Sequence, residues 1–233
     1  MLRRAMQGAL NLRPPKRKPK LPITVDVLRR ITTTPPTSTA DYNLNALFKV
    51  AYAGFFRLGE LTYTRKDTEH PLFRHTHVLR GDVSFIRDDR NSVTGVTVFL
   101  RHSKTDYQNQ GVTVYIATSG QPTCAVTALL NLFKHDERPL HAPLFGIGNG
   151  HCSAVVVQTE LRRRLRTLGL ISSDDDKSYT GHSFRRGAAT DASHKGVPEH
   201  QFMLMGRWTS DAFKRYISHT EEQRLSISRK ILT

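Results

Sequence analysis

A chain of 233 residues with 38% hydrophobic content is long enough to bury a core of its own. Lys and Arg outnumber Asp and Glu by 35 to 20, a net charge of +15 that favours polyanionic partners, either nucleic acid or an anionic membrane surface. Two cysteines without paired spacing (Cys124 and Cys152) argue against a disulfide framework, no apolar run reaches the length of a membrane span, and the N-terminus lacks the apolar core of a secretory signal; a soluble intracellular protein is expected.

Residues 1–22 read as a basic, proline-bearing tail, with Arg13-Pro-Pro-Lys-Arg-Lys-Pro-Lys20 at its centre. Its prolines exclude a continuous helix, and the cluster fits a nuclear localisation signal, a phosphate-contacting arm or a linker equally well. Thr24 is a candidate N-cap for a short helix over 25–31. A Thr/Pro/Ser loop follows over 32–39. Leu44, Leu47, Phe48, Ala51, Phe55 and Leu58 then recur at three-and-four spacing, which predicts one amphipathic helix over 41–61. Alternation at Val96, Val98 and Leu100, and again over 112–116, predicts a β-hairpin with residues 101–111 between its strands. Helices are expected over 122–135, 153–168, 183–195, 199–205 and 210–217, and a tail or helix over 221–232. The fold class is mainly α with a small antiparallel sheet.

The chemistry is concentrated near the C-terminal end. Gly181-His182-Ser-Phe-Arg185-Arg-Gly-Ala-Ala places a His and an Arg at i and i+3, which on a helix share a face. Met205-Gly-Arg-Trp208 follows, and then Tyr216, eight residues beyond the Trp. Upstream, Arg57 lies in Gly54-Phe-Phe-Arg57-Leu-Gly-Glu60-Leu, and Lys104 in the Ser103-Lys-Thr of the hairpin loop. Attack on a phosphodiester without metal needs preorganised donors around the charge that develops on phosphorus, a proton relay and a nucleophile. Two guanidiniums suit the non-bridging oxygens, because each can present two parallel N–H groups.

In this order the motifs resemble the catalytic domain of the tyrosine recombinases (phage integrase family), over residues 21 to the end. The flavour is that of the recombinases of eukaryotic mobile elements of the Crypton and DIRS type. The resemblance implies a domain over 23–233 that cuts and rejoins duplex DNA through a 3′-phosphotyrosyl intermediate. It implies that Arg57 and Arg185 bind the scissile phosphate, Lys104 protonates the leaving 5′ oxygen and His182 moves a proton. Trp208 would donate to a phosphate oxygen, and Tyr216 would be the nucleophile; Glu60 supports Arg57. Double-stranded DNA and self-association into a tetramer are the partners implied, in the nucleus. Relatives often carry His directly after the Gly of this last box. Arg207 stands there, so either Trp208 or Arg207 supplies that donor. Relatives also carry a DNA-clamping domain ahead of the catalytic one, whereas about twenty residues precede the resemblance here. A non-catalytic DNA-binding module descended from such an enzyme is the alternative.

Each residue also has an ordinary reading. Arg57 could form a buried ion pair with Glu60, Trp208 could anchor a core, and Tyr216 could pack with its hydroxyl in water. His70, His75, His77 and His102 match no zinc spacing, and no nucleotide-binding glycine run is present, so no metal and no cofactor are expected. Arg162-Arg-Arg-Leu-Arg166 is either a phosphate-contacting or a solvated helical face.

Overall fold

The structure, a computed structural model, describes residues 20–103, 110–148, 151–172 and 178–217, together with Leu225 and Arg229. Helix α1 (Val25–Ile31) starts at Thr24, whose hydroxyl accepts from the Val27 amide, and it buries Leu28 and Ile31. Helix α2 (Thr39–Ala53) starts at Ser38, which accepts from the Asp41 amide, and it buries Leu44, Leu47, Phe48, Val50 and Ala51. A Ser or Thr oxygen at this place satisfies one of the free amides of a first helical turn.

The helix expected over 41–61 is broken. α2 stops at Gly54, Phe55 turns left-handed at φ 51°, and a separate turn, α3 (Leu58–Leu61), begins after Arg57. The apolar periodicity runs through the break because Phe55, Phe56 and Leu58 are all buried on either side of it. Arg57 therefore caps a new helix and does not end an old one. Two short helices, α4 (Arg65–Glu69) and α5 (Phe73–Thr76), lead to a three-stranded antiparallel sheet.

The sheet has the order β1-β2-β3, with β1 (Val83–Arg87), β2 (Val93–Leu100) and β3 (Val112–Ala117). The β2–β3 pair is the expected hairpin, with Val98 opposite Val114 and Val96 opposite Ile116 on the buried face. Strand β1, opposite Val98 at Val83, is additional: only Val83 and Phe85 of its five residues turn inward, too short an alternation to stand out in sequence.

Helices α6 (Ala125–His135), α7 (Ala154–Thr167), α8 (Ser183–His194) and α9 (Glu199–Gly206) follow as expected within a few residues. Residues 210–217 form a 3-10 turn, Asp211–Arg215, in place of an α-helix. The hairpin loop that carries Lys104 and the expected tail or helix over 221–232 lie outside the described residues, apart from Leu225 and Arg229.

Two apolar clusters divide the labour. The larger one sits between α2, the inner sheet face, α6 and α7. The smaller one joins Phe55, Ala188, Ala189, Phe202 and Phe213, with Trp208 and Tyr216 packed on it. α8 crosses between them: Phe48 and Phe184 stack at 5.2 Å, while Ala188 and Ala189 face the small cluster. The segment before α1 is laid on α8 so closely that a Cβ at Gly187 would sit 1.6 Å from the Ile23 carbonyl oxygen. Only glycine allows that approach. Leu21 and Ile23 donate to the carbonyls of Ser178 and Ser183, and the Val25 amide reaches Asp191 at 2.6 Å.

The basic run of α7 is divided in use. Arg164 is mostly buried and ties α7 to α1 and α2 through Ile31 O and Asp41, whereas the exposed Arg163 pairs with Glu160. Among the described residues no group of three or more His, Cys, Asp or Glu is placed to hold a metal ion, and no helix is long and apolar enough to cross a membrane.

Candidate active site

The site forms where the α2–α3 break meets the N-terminal end of α8 and the C-terminal end of α9. The Leu58 amide donates to the Gly181 carbonyl, which joins the Arg57 box to the His182 box. Glu60 reaches back across one turn. Its Oε1 accepts from Arg57 Nη1 at 2.7 Å, and its Oε2 from the Arg57 amide at 2.8 Å and from Arg207 Nη2 at 2.9 Å. The Glu60 side chain is 7% exposed, so these are charge-assisted bonds shielded from water. The ion pair between Arg57 and Glu60 foreseen as an ordinary reading is thus formed, and it fixes the base of Arg57.

His182 and Arg185, three residues apart, differ in depth: His182 is exposed and Arg185 is buried. His182 is the N-cap of α8, and Arg185 turns into the interior, where it is fully buried. Its Nη1 donates to the Phe55 carbonyl at 2.7 Å, its Nη2 donates to the Gly206 carbonyl, and its guanidinium lies 4.3 Å from the Trp208 ring centroid. Burial, then the like charges of Arg57 and Arg207, push its pKa down to about 9. Arg57 and Arg207 share the one carboxylate of Glu60, Arg185 has only backbone carbonyls, and the buried Nε atoms of Arg185 and Arg207 have no hydrogen-bond partner. The pocket is short of negative charge, the electrostatic condition for anion binding.

The residues on the His182 face are spaced by four: His182, Arg186 and Thr190. Tyr216 covers all three. Its hydroxyl is 3.4 Å from His182 Nδ1, its ring lies under the Arg186 guanidinium at 5.4 Å, and its carbonyl accepts from Thr190 Oγ1 at 3.0 Å. Trp208 flanks the same ring at 5.6 Å and closes on Phe55 and Phe213. Burial, then Arg57, Arg185 and Arg186, hold the His182 pKa below the usual histidine range. A neutral imidazole beside a phenol can accept its proton, and 3.4 Å is a distance that tightens readily on substrate binding.

Of the six residues singled out in sequence, Arg57, His182, Arg185, Trp208 and Tyr216 come together, and Lys104 lies outside the described residues. Sequence reasoning missed Arg186 and Thr190. Their four-residue spacing from His182 was the available signal. It also missed the left-handed Phe55, which no local pattern marks.

No protein-family model matches the chain. An integrase/recombinase XerD homolog of Selenomonas ruminantium is 28% identical over 180 residues, covering 74% of this chain and 46% of that protein. The structure resembles the XerH site-specific recombinase bound to palindromic difH substrate in a post-cleavage complex, with a TM-score of 0.61 at 14% identity over 94% of this chain and 54% of XerH. It also resembles the Tn1549 transposon integrase in complex with circular intermediate DNA, with a TM-score of 0.52 at 14% identity over 97% of this chain and 74% of that fragment. The chain spans about half the length of the XerD homolog and of XerH. The molecule thus has the fold of the tyrosine recombinase catalytic domains, and its sequence is similar to that of a XerD homolog.

Proposed function

We propose that the chain is the catalytic part of a site-specific recombinase that cuts and rejoins duplex DNA through Tyr216. The observation that carries this reading is the contact of Tyr216 with His182 beside a buried cluster of arginines short of negative charge. In the proposed reaction the Tyr216 oxygen attacks phosphorus and its proton passes to His182 Nδ1. The bond from phosphorus to the 5′ oxygen breaks, and that oxygen takes a proton from Lys104. The phosphotyrosyl ester keeps the bond energy, so the 5′-hydroxyl of a second strand reverses the step without ATP. Arg57 and Arg185 meet the charge on the non-bridging oxygens, and the reading requires no metal.

In the structure Arg185 is fully buried under Trp208, with both terminal nitrogens on backbone carbonyls. Its use on a phosphate therefore requires Trp208 to shift. The same burial favours the second reading, a DNA-binding module without strand transfer. A tetramer on DNA, a mobile-element setting of the Crypton or DIRS kind and a nuclear location are finer parts of the first reading. Motif resemblance and the basic run over 13–20 are their support.

Trapping separates the two readings. Wild type and Tyr216→Phe are incubated with a pool of nicked half-site duplexes in EDTA and resolved on a denaturing gel. The proposal expects a covalent protein–DNA band that Tyr216→Phe abolishes while DNA binding is kept. Equal bands from both proteins would reassign the nucleophile. Salt-sensitive binding with no band across the pool would favour the second reading.

A further inference from the structure

Three non-glycine residues among those described have a left-handed backbone: Phe55 at φ 51°, Asn91 at φ 61° and Arg207 at φ 55°. Asn91 lies in the turn between β1 and β2, where such a conformation is ordinary. The other two touch each other. Arg207 caps the C-terminus of α9 in the place that glycine usually takes, after a Gly206 whose Cβ would strike the Trp208 ring at 1.9 Å. A left-handed backbone at a residue with a side chain is strained and persists only where its surroundings over-determine it.

What over-determines this pair is the Arg207 guanidinium. Nη1 donates to the Gly54 carbonyl at 3.0 Å, and Nη2 to the Phe55 carbonyl at 3.3 Å and to Glu60 at 2.9 Å. The plane also packs over the Phe56 ring at 5.0 Å, and the side chain is 10% exposed. Two of these three acceptors are shared. The Phe55 carbonyl also accepts from Arg185, and the Glu60 carboxylate also accepts from Arg57. One side chain thus touches the anchor of each of the two arginines assigned to the phosphate. Both Arg207 terminal nitrogens end on protein acceptors.

We propose that Arg207 is a positioning residue, which sets the Arg57 and Arg185 guanidiniums through Glu60 and the Phe55 carbonyl. The proposal rests on the recombinase reading for what those two arginines do, whereas the contacts stand by themselves. Lysine cannot replace it fully, because a single ammonium lacks the planar fork that spans two carbonyls and a carboxylate.

The test uses Arg207→Met, which keeps an unbranched stem and removes the fork, and Arg207→Lys. Phenylglyoxal labelling read by mass spectrometry reports how accessible each arginine is. Arg57 and Arg185 should label at least about fivefold faster in Arg207→Met and by a smaller factor in Arg207→Lys, on the view that a fork holds them. Arg80, 3% exposed and paired with Asp136 away from the site, should stay protected in both variants. Labelling of Arg57 and Arg185 within twofold of wild type overturns the proposal, and so does labelling of Arg80, which marks general unfolding. In the trapping assay Arg207→Met should slow adduct formation about a hundredfold, the scale of a misplaced transition-state donor, with DNA affinity within threefold. Faster labelling with an unchanged adduct rate overturns the positioning role in the reaction. If wild type forms no Tyr216-dependent adduct, the recombinase reading falls, while the labelling still decides whether Arg207 holds the two arginines.

Discussion

Tyr216, the proposed nucleophile, is held by a bond that carries no chemistry. Thr190 is 2% exposed, and its hydroxyl donates to the Tyr216 carbonyl at 3.0 Å, pinning the end of the 3-10 turn against α8. Thr190→Val keeps the shape and removes the donor. A neutral internal hydrogen bond contributes about 0.5–1.5 kcal/mol net. If that energy is spent in holding the phenol against His182, its loss appears in the barrier to attack. At about 1.4 kcal/mol per tenfold, adduct formation should slow by roughly twofold to twelvefold. The measurement is single-turnover trapping on nicked half-site DNA, with affinity followed separately. Binding should be unchanged, since Thr190 is buried and its side chain touches no phosphate in this reading. Thr190→Ser, which keeps the hydroxyl, should stay near wild type. A Thr190→Val rate equal to wild type would refute the pinning role. A Thr190→Ser rate as slow as that of Thr190→Val would show that the methyl group matters and the bond does not.

Two further outcomes test other parts of the structure. Because burial and the neighbouring arginines hold the His182 pKa below the usual range, adduct formation should fall as pH is lowered, as His182 takes up a proton, with a midpoint below the ordinary histidine value of about 6.5. A midpoint at or above about 6.5 would contradict proton transfer to this histidine. Asp136 binds the buried Arg80 at 2.7 Å and also accepts from Arg138 and Asn43, so Asp136→Ala strands a buried cation and should cost about 3–5 kcal/mol in urea unfolding. A loss below about 1 kcal/mol would show that Arg80 is compensated elsewhere.

How much of this was legible in sequence follows from the range of each signal. Alternation over 93–100 and 112–116 lies within single strands, so the β2–β3 hairpin could be read directly. Thr24 before an apolar pattern marked the start of α1 for the same reason. The break after α2 could not be read, because Phe55, Phe56 and Leu58 keep the apolar content going while the backbone turns left-handed, and burial in two different clusters satisfies both sides of the turn. Spacing on α8 did not show depth. Three-residue spacing makes His182 and Arg185 neighbours, but His182 stands exposed at the cap while the Phe55 and Gly206 carbonyls draw Arg185 inward.

The sequence by itself determined the chemical inventory: Arg57, His182, Arg185, Trp208 and Tyr216 in order, on a chain of net charge +15, with the helices and the hairpin that carry them. That information is local, since residue type and spacing within one element set propensity, capping and amphipathicity. Tertiary structure alone decided which nitrogen faces which oxygen. The link from Arg57 through Glu60 and Arg207 to Phe55 and Arg185 uses bonds between residues 130 to 152 positions apart. Those contacts exist because buried guanidiniums must find acceptors wherever packing places them, and no spacing rule along a chain encodes a carbonyl aimed from another helix.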